Sequence, residues 1–142
     1  MDKTINVIVE KAGEKNYWCF MENEVSNTSV YGNGTTVRKA IDDFYSGVKD
    51  MEADFKSDGK QIPPVKFNFI MDVGSFFDYY PINVTAFAKY IGMNASLLRQ
   101  YASGLKEPKE KALSKIKEGL QKFKNDFNVG SLIERPVTSY VK

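Results

Sequence analysis

Histidine is absent from the 142 residues, and cysteine occurs once, at Cys19. Without imidazole there is no Ser-His or Cys-His nucleophile system, no histidine general base and no histidine metal ligand. One thiol forms no intrachain disulfide and no zinc cluster. Beside Trp18 it reads as a half-buried strand residue. No uninterrupted apolar run approaches the roughly 20 residues of a membrane span. The opening Met1-Asp2-Lys3-Thr4 runs straight into a strand-like segment with no secretory pattern, so the expectation is a cytoplasmic protein. Proline is scarce (5 residues) and no low-complexity block is present, while 42% of residues are apolar and 27% charged. That balance belongs to a folded chain of one medium or two small domains.

The net charge of +2 conceals an asymmetry. Residues 1–75 hold 9 Lys and Arg against 12 Asp and Glu, a balance of −3, and residues 76–142 hold 11 against 6, a balance of +5. An acidic half joined to a basic half suggests two modules with different partners, the basic one suited to a polyanion. Composition drift between two domains produces the same figures, and charge alone does not separate the readings.

Ile5, Val7 and Val9 alternate as in a strand with one buried face, Gly13 to Asn16 supplies a turn, and Tyr17 to Met21 returns. A third strand is expected at Val30-Tyr31, before Gly32-Asn33-Gly34. Thr35 or Thr36 caps a helix whose stripe is Val37, Ile41, Phe44, Val48, Met51 and Phe55. Gly47 weakens that helix by about 1 kcal/mol relative to alanine. Ser57-Asp58-Gly59 ends it, and Val65, Phe67, Phe69, Met71 and Val73 alternate as a further strand. The expected order is β-β-β-α-β. A two-metal nuclease would need clustered carboxylates here. The available acids are Glu10, Asp42, Asp43 and Asp72, but mid-strand stand Asn6 and Ile8, and Asp42 and Asp43 fall opposite the apolar stripe. No catalytic residue, metal site or cofactor is assigned.

In the second half, Ser75 and Asp78 mark the start of a short helix with Phe76, Phe77, Tyr79 and Tyr80 packed beneath its neighbours. Val84 to Ser103 follows the logic of a helix-turn-helix. Ala88 is small at the crossing, Gly92 takes the positive φ of the turn, Met93 plugs the angle, and Asn94 caps the second helix. At about 100° per residue, Leu97, Leu98, Tyr101 and Ala102 share one arc, while Ser96, Arg99, Gln100 and Ser103 share another with no carboxylate to repel phosphate. Arg99 matches guanine O6/N7 and Gln100 adenine N6/N7, if that face enters a major groove. Gly104 closes the helix, Lys106 lies just beyond, and Pro108 suits the first turn of a third helix. Leu113, Ile116, Leu120, Phe123 and Phe127 form the buried seam of that helix, and Lys109, Lys111, Lys115, Lys117, Lys122 and Lys124 its solvated sides. The DNA-binding candidates are therefore Asn94, Ser96, Arg99, Gln100, Ser103 and Lys106. A three-helix unit with no nucleic-acid partner is the structural alternative.

Gly92 to Gly104 resembles the helix-turn-helix of HicB-type antitoxins and of the wider lambda-repressor-like group. The opening strand, the Gly13/Tyr17 hairpin and the Gly32-to-Ala40 helix entry resemble the HicB domain. Glu22 to Asn27 stands where that family carries a proline-containing loop. The resemblance implies an α+β chain with a partial RNase H-like sheet that has lost its nuclease site. The implied layout is a toxin-binding domain over 1–73, a DNA-binding domain over 74–127 and a tail over 128–142. It further implies that the chain neutralises a small HicA-like ribonuclease toxin and represses its own operon as a homodimer or higher oligomer, with no membrane partner. A stand-alone regulator with an N-terminal ligand-binding or dimerisation domain is the alternative function. In the tail, Val137, Ser139 and Val141 alternate; a strand pairing with another subunit and a frayed end are both compatible.

Overall fold

A computed structural model describes residues 3–135. The fold is α+β, with a four-stranded mixed sheet and five α-helices. The chain divides into two compact units, Met1–Pro108 and Lys109–Lys142.

The first unit begins with β1 (Lys3–Gly13), β2 (Asn16–Met21) and β3 (Tyr31–Gly34), continues through α1 (Val37–Ser57) to β4 (Val65–Met71), and ends with three short helices. Those are α2 (Val73–Tyr79), α3 (Val84–Ile91) and α4 (Ala95–Ser103). The sheet order is β3-β2-β1-β4; β1 pairs antiparallel with β2 and parallel with β4. The expected β-β-β-α-β succession is therefore present. Alternation decides which face is inner: Ile5, Val7, Val9, Tyr17, Cys19 and Met21 are buried, while their neighbours in sequence point to the other face.

α1 covers that inner face with Val37, Ala40, Phe44, Val48 and Met51, and Ile41 and Phe55 pack at its margin. Thr36 is the N-cap, its Oγ1 accepting from Lys39 N at 3.1 Å. Close approach of helix to sheet depends on Gly32, where a Cβ would overlap the Ala40 carbonyl oxygen and lie 2.6 Å from Phe44 N. Between β2 and β3 the chain makes a small hairpin, Val25 and Thr28 exchanging backbone bonds of 2.9 Å around Ser26 and Asn27, both at positive φ.

Several expectations need correction here. Cys19 is fully buried rather than half-buried, and burial, with Asp43 nearby, pushes its thiol up to about 11. Val73 does not extend the strand. Asp72 stops β4 by capping α2, its Oδ1 accepting from Ser75 N at 2.8 Å. Asp72 Oδ2 also accepts from Lys11 N at 2.9 Å, which ties the helix start to β1. The short helix thus opens at Val73, not at Ser75, and Ser75 is buried in its first turn. Asp78 serves a different helix, accepting from Val37 N at the start of α1 at 2.8 Å. The four aromatics of α2 and its end are only part-buried at best: Tyr79 packs against the sheet core, Phe77 lies 5.8 Å from Phe87, and Tyr80 is exposed.

The second unit holds α5 (Glu110–Asp126) and a single 3-10 turn at Val129–Ser131. Pro108 precedes the N-cap residue Lys109 instead of entering the first turn. Ile116 and Gly119 are buried in α5, but the expected seam fails at its end: Phe123 is 37% and Phe127 65% exposed, their rings edge-to-face at 5.9 Å. Val137, Ser139 and Val141 lie outside the described residues.

Candidate nucleic-acid interface

Each end of the α3–α4 pair is closed by a side chain or a left-handed residue. Asn83 caps α3 by accepting from Ala86 N at 2.9 Å, and Asn94 caps α4 by accepting from Leu97 N at 3.0 Å. Between them Gly92 sits at φ 73°, ψ 34°, a conformation with a steric cost for any residue that has a Cβ. Gly92 N donates to Lys89 O and Met93 N to Ala88 O, so the carbonyls at the end of α3 are satisfied by the turn itself. Gly104 ends α4 in the same left-handed region. Ala88 and Leu98 are completely buried where the two helices cross, Phe87 is 4% exposed, and Met93 and Tyr101 are part-buried beside them.

Buried Leu98 fixes the rotation of α4. Ser96, Arg99 and Ser103 then face outward, and Gln100 is part-buried. Arg99 Nη1 donates to Thr85 Oγ1 on α3 at 3.0 Å, a bridge that holds the guanidinium over the pair. Gln100 Nε2 lies 3.5 Å from Ser96 Oγ, a weak contact that leaves the carboxamide available. Ser103 Oγ donates to Gln100 O at 3.1 Å and accepts from Leu105 N at 3.4 Å, which fastens the helix end. Lys106 N donates to Gln100 O at 3.2 Å, so the lysine emerges beside the last turn.

The structure therefore sets Ser96, Arg99, Gln100 and Ser103 along α4 from its first turn to its last, with Lys106 just past the C-terminal end. Asn94 stands at the N-terminal end, with its side-chain oxygen committed to the cap. From Val84 to Leu105 the chain contains no Asp or Glu, and its charges are Lys89 and Arg99. Such a surface offers guanidinium, carboxamide, hydroxyl and ammonium donors and no fixed negative charge, the chemistry that base edges and phosphates accept.

Sequence reasoning overlooked Asn83 and Thr85. Asn83 carries a readable signal, an Asn immediately ahead of an apolar run. Thr85 carries none, because its contact with Arg99 crosses the turn between two helices.

Of the four nuclease acids, Asp43 and Asp72 are engaged in hydrogen bonds to backbone N–H groups, and Glu10 is exposed on β1. Asp43 accepts from Asn33 N at 2.9 Å, Asp72 holds Ser75 N and Lys11 N, and Asp42 is exposed on α1. Among the described residues no three Asp, Glu or Cys side chains gather in a metal-binding group, and no helix is long and apolar enough to cross a membrane. No protein-family model, curated protein or solved structure matches this chain.

Proposed function

We propose that the chain is a DNA-binding regulator of the HicB antitoxin kind, in which α3 and α4 form a helix-turn-helix with α4 as the recognition helix. The observation that carries this reading is the acid-free polar face of α4, held in rotation by buried Leu98 and capped at both ends. In this reading Arg99 and Gln100 read base edges, Ser96 and Ser103 contact base or backbone, Lys106 meets phosphate, and Asn94 orients the helix start.

The toxin-binding half of the proposal draws support from the outer face of the sheet. Tyr31, Phe20, Ile8 and Ile70 lie in register across all four strands, with Trp18 adjacent. Trp18, Tyr31 and Ile70 are each at least 40% exposed. A contiguous apolar patch of this kind marks a protein-binding surface, and the −3 balance of residues 1–75 suits a basic ribonuclease toxin. The mid-strand positions Asn6 and Ile8 on that face agree with a partial RNase H-like sheet without its metal site.

The deciding experiment titrates the chain against the DNA upstream of its own gene by fluorescence anisotropy. Arg99→Ala and Gln100→Ala each cost about 1–3 kcal/mol and relax sequence preference, whereas Lys106→Ala weakens binding to all sequences and lowers the salt slope by about 1. Unchanged affinity in folded Arg99→Ala and Gln100→Ala overturns the recognition-helix assignment. Co-expression with a small neighbouring reading frame tests the second half: toxicity of the neighbour alone, with rescue and co-purification by this chain, is the expected result.

A further inference from the structure

β4 is treated unlike the other strands. β1, β2 and β3 each contain buried residues, whereas none of Val65 to Met71 is fully buried. Its inner-face side chains Val65, Phe67, Phe69 and Met71 are only part-covered by the core. Beside them a groove of about 520 Å³ runs between α1 and β4, lined by Tyr45, Val48, Lys49, Val65 and Phe67 among others.

The backbone of β4 shows what kind of element this edge takes. Pro64 O accepts from Lys3 N, and Asp72 N donates to Val9 O, so the even-numbered residues turn their backbone groups toward β1. In a parallel ladder the alternate residues turn theirs the other way. Val65, Phe67, Phe69 and Met71 therefore present N–H and C=O to an edge that pairs with no strand among the described residues, and the element that satisfies such a row is another strand.

We propose that the occupant is β4 of a second copy of this chain, paired antiparallel about a two-fold axis through Asn68. This register places Phe67 opposite Phe69 of the second copy and Val65 opposite Met71, all on the inner face. Every such pair is of the hydrogen-bonded kind, giving about eight ladder bonds and two cross-strand aromatic pairs. On the outer face Lys66 meets Ile70, the two Lys66 side chains stay apart, and Asn68 meets itself. Two sheets become one, with both α1 helices on the same side.

The charges around the groove fit the same axis. β3 and β4 both run parallel to β1, so α1, which joins them, runs back against β4. Tyr45, 42% exposed, lies 6.0 Å from Phe67 and 5.8 Å from Phe69, level with Asn68. Asp42 precedes Tyr45 by three residues and Lys49 follows it by four. Glu52 also lines the groove, seven residues after Tyr45, and Arg38 stands seven before it, so a two-fold axis at that level brings Lys49 of one copy near the level of Asp42 of the other and Glu52 near that of Arg38. Seven residues of edge span about 23 Å. With the sheet and helix layers contributing depth, the contact approaches about 1,000 Å² in total, the lower bound of a specific interface. The pairing uses no residue of α3 or α4.

Asn68 is exposed, and its side chain makes one outer-face bond, to Asn6 at 3.2 Å, so replacing it leaves the protomer intact. The test is sedimentation equilibrium of the full chain, from about 5 to 500 μM. Asn68→Asp and Asn68→Lys each put like charges face to face across the axis, about 4.5 Å apart at Cα. Each alone is expected to weaken association at least tenfold, and an equimolar mixture of the two restores it. If the chain also assembles through another surface, each variant halves the mass and the mixture recovers it. A chain monomeric throughout the range overturns the proposal, as does an oligomer that neither substitution changes.

Discussion

Between the sheet and α1, side chains from Ile5 to Met51 form one continuous buried cluster, whereas α3 and α4 together bury only Phe87, Ala88 and Leu98 to the same degree. The shorter helices compensate at their termini: Asn83, Asn94, Gly92 and Gly104 satisfy or terminate the backbone at each end. The sheet layer therefore owes its stability to apolar area and the α3–α4 pair owes its shape to local geometry. A recognition surface benefits from that arrangement, because a rigid turn fixes side-chain direction without needing a large core beneath it.

The largest effect that separates the two regions is expected at Phe44, which is fully buried and meets Phe67 and Phe69 edge-to-face at 5.1 and 5.9 Å. Phe44→Ala should cost about 3–5 kcal/mol in urea unfolding. A loss below about 1 kcal/mol would mean that the sheet layer does not depend on this core. Asp72 tests the link between regions, since one carboxylate holds both β1 and the start of α2. Asp72→Ala should cost about 2–3 kcal/mol, with Asp72→Asn recovering part of it, because an amide oxygen still accepts one bond. The smallest effect belongs to the caps. Asn94→Ala should cost about 1 kcal/mol and Asn94→Gly only a few tenths, with amide exchange quickening in α4 and not in β1. Equal quickening in both elements would show that the two regions open together and that the contrast between them is one of packing alone.

Much of this was legible because it is periodic. Alternation at Ile5, Val7 and Val9, and the three- and four-residue steps from Val37 to Phe55, follow from the pleat and the helical turn, and both are read without tertiary knowledge. The turn at Gly92 was legible for a different reason: few residues other than glycine tolerate its φ. What escaped was set by long-range contacts. Asp72 and Asp78 look like interchangeable helix-start acids in sequence; only the approach of Lys11 to one and Val37 to the other assigns them. Gly47 reads as a weak point in α1, yet a Cβ there would lie 2.7 Å from Val30 Cγ1, so packing explains it. The seam of α5 was misread at Phe123 and Phe127 because helical spacing reports an apolar face and not whether the fold covers it. On α4, the outward residues were readable from angle alone, but the Arg99–Thr85 bridge was not.

The burial of Cys19 has a practical consequence. A thiol sealed under α1 and held in its neutral form to about pH 11 is a poor nucleophile toward maleimides and disulfide reagents in the native state. The chain is thus already suited to single-site attachment of a dye or spin label, with no native cysteine to remove. A cysteine introduced on the outward face of α4 would be the one reactive sulfur, and its signal would report on that face alone.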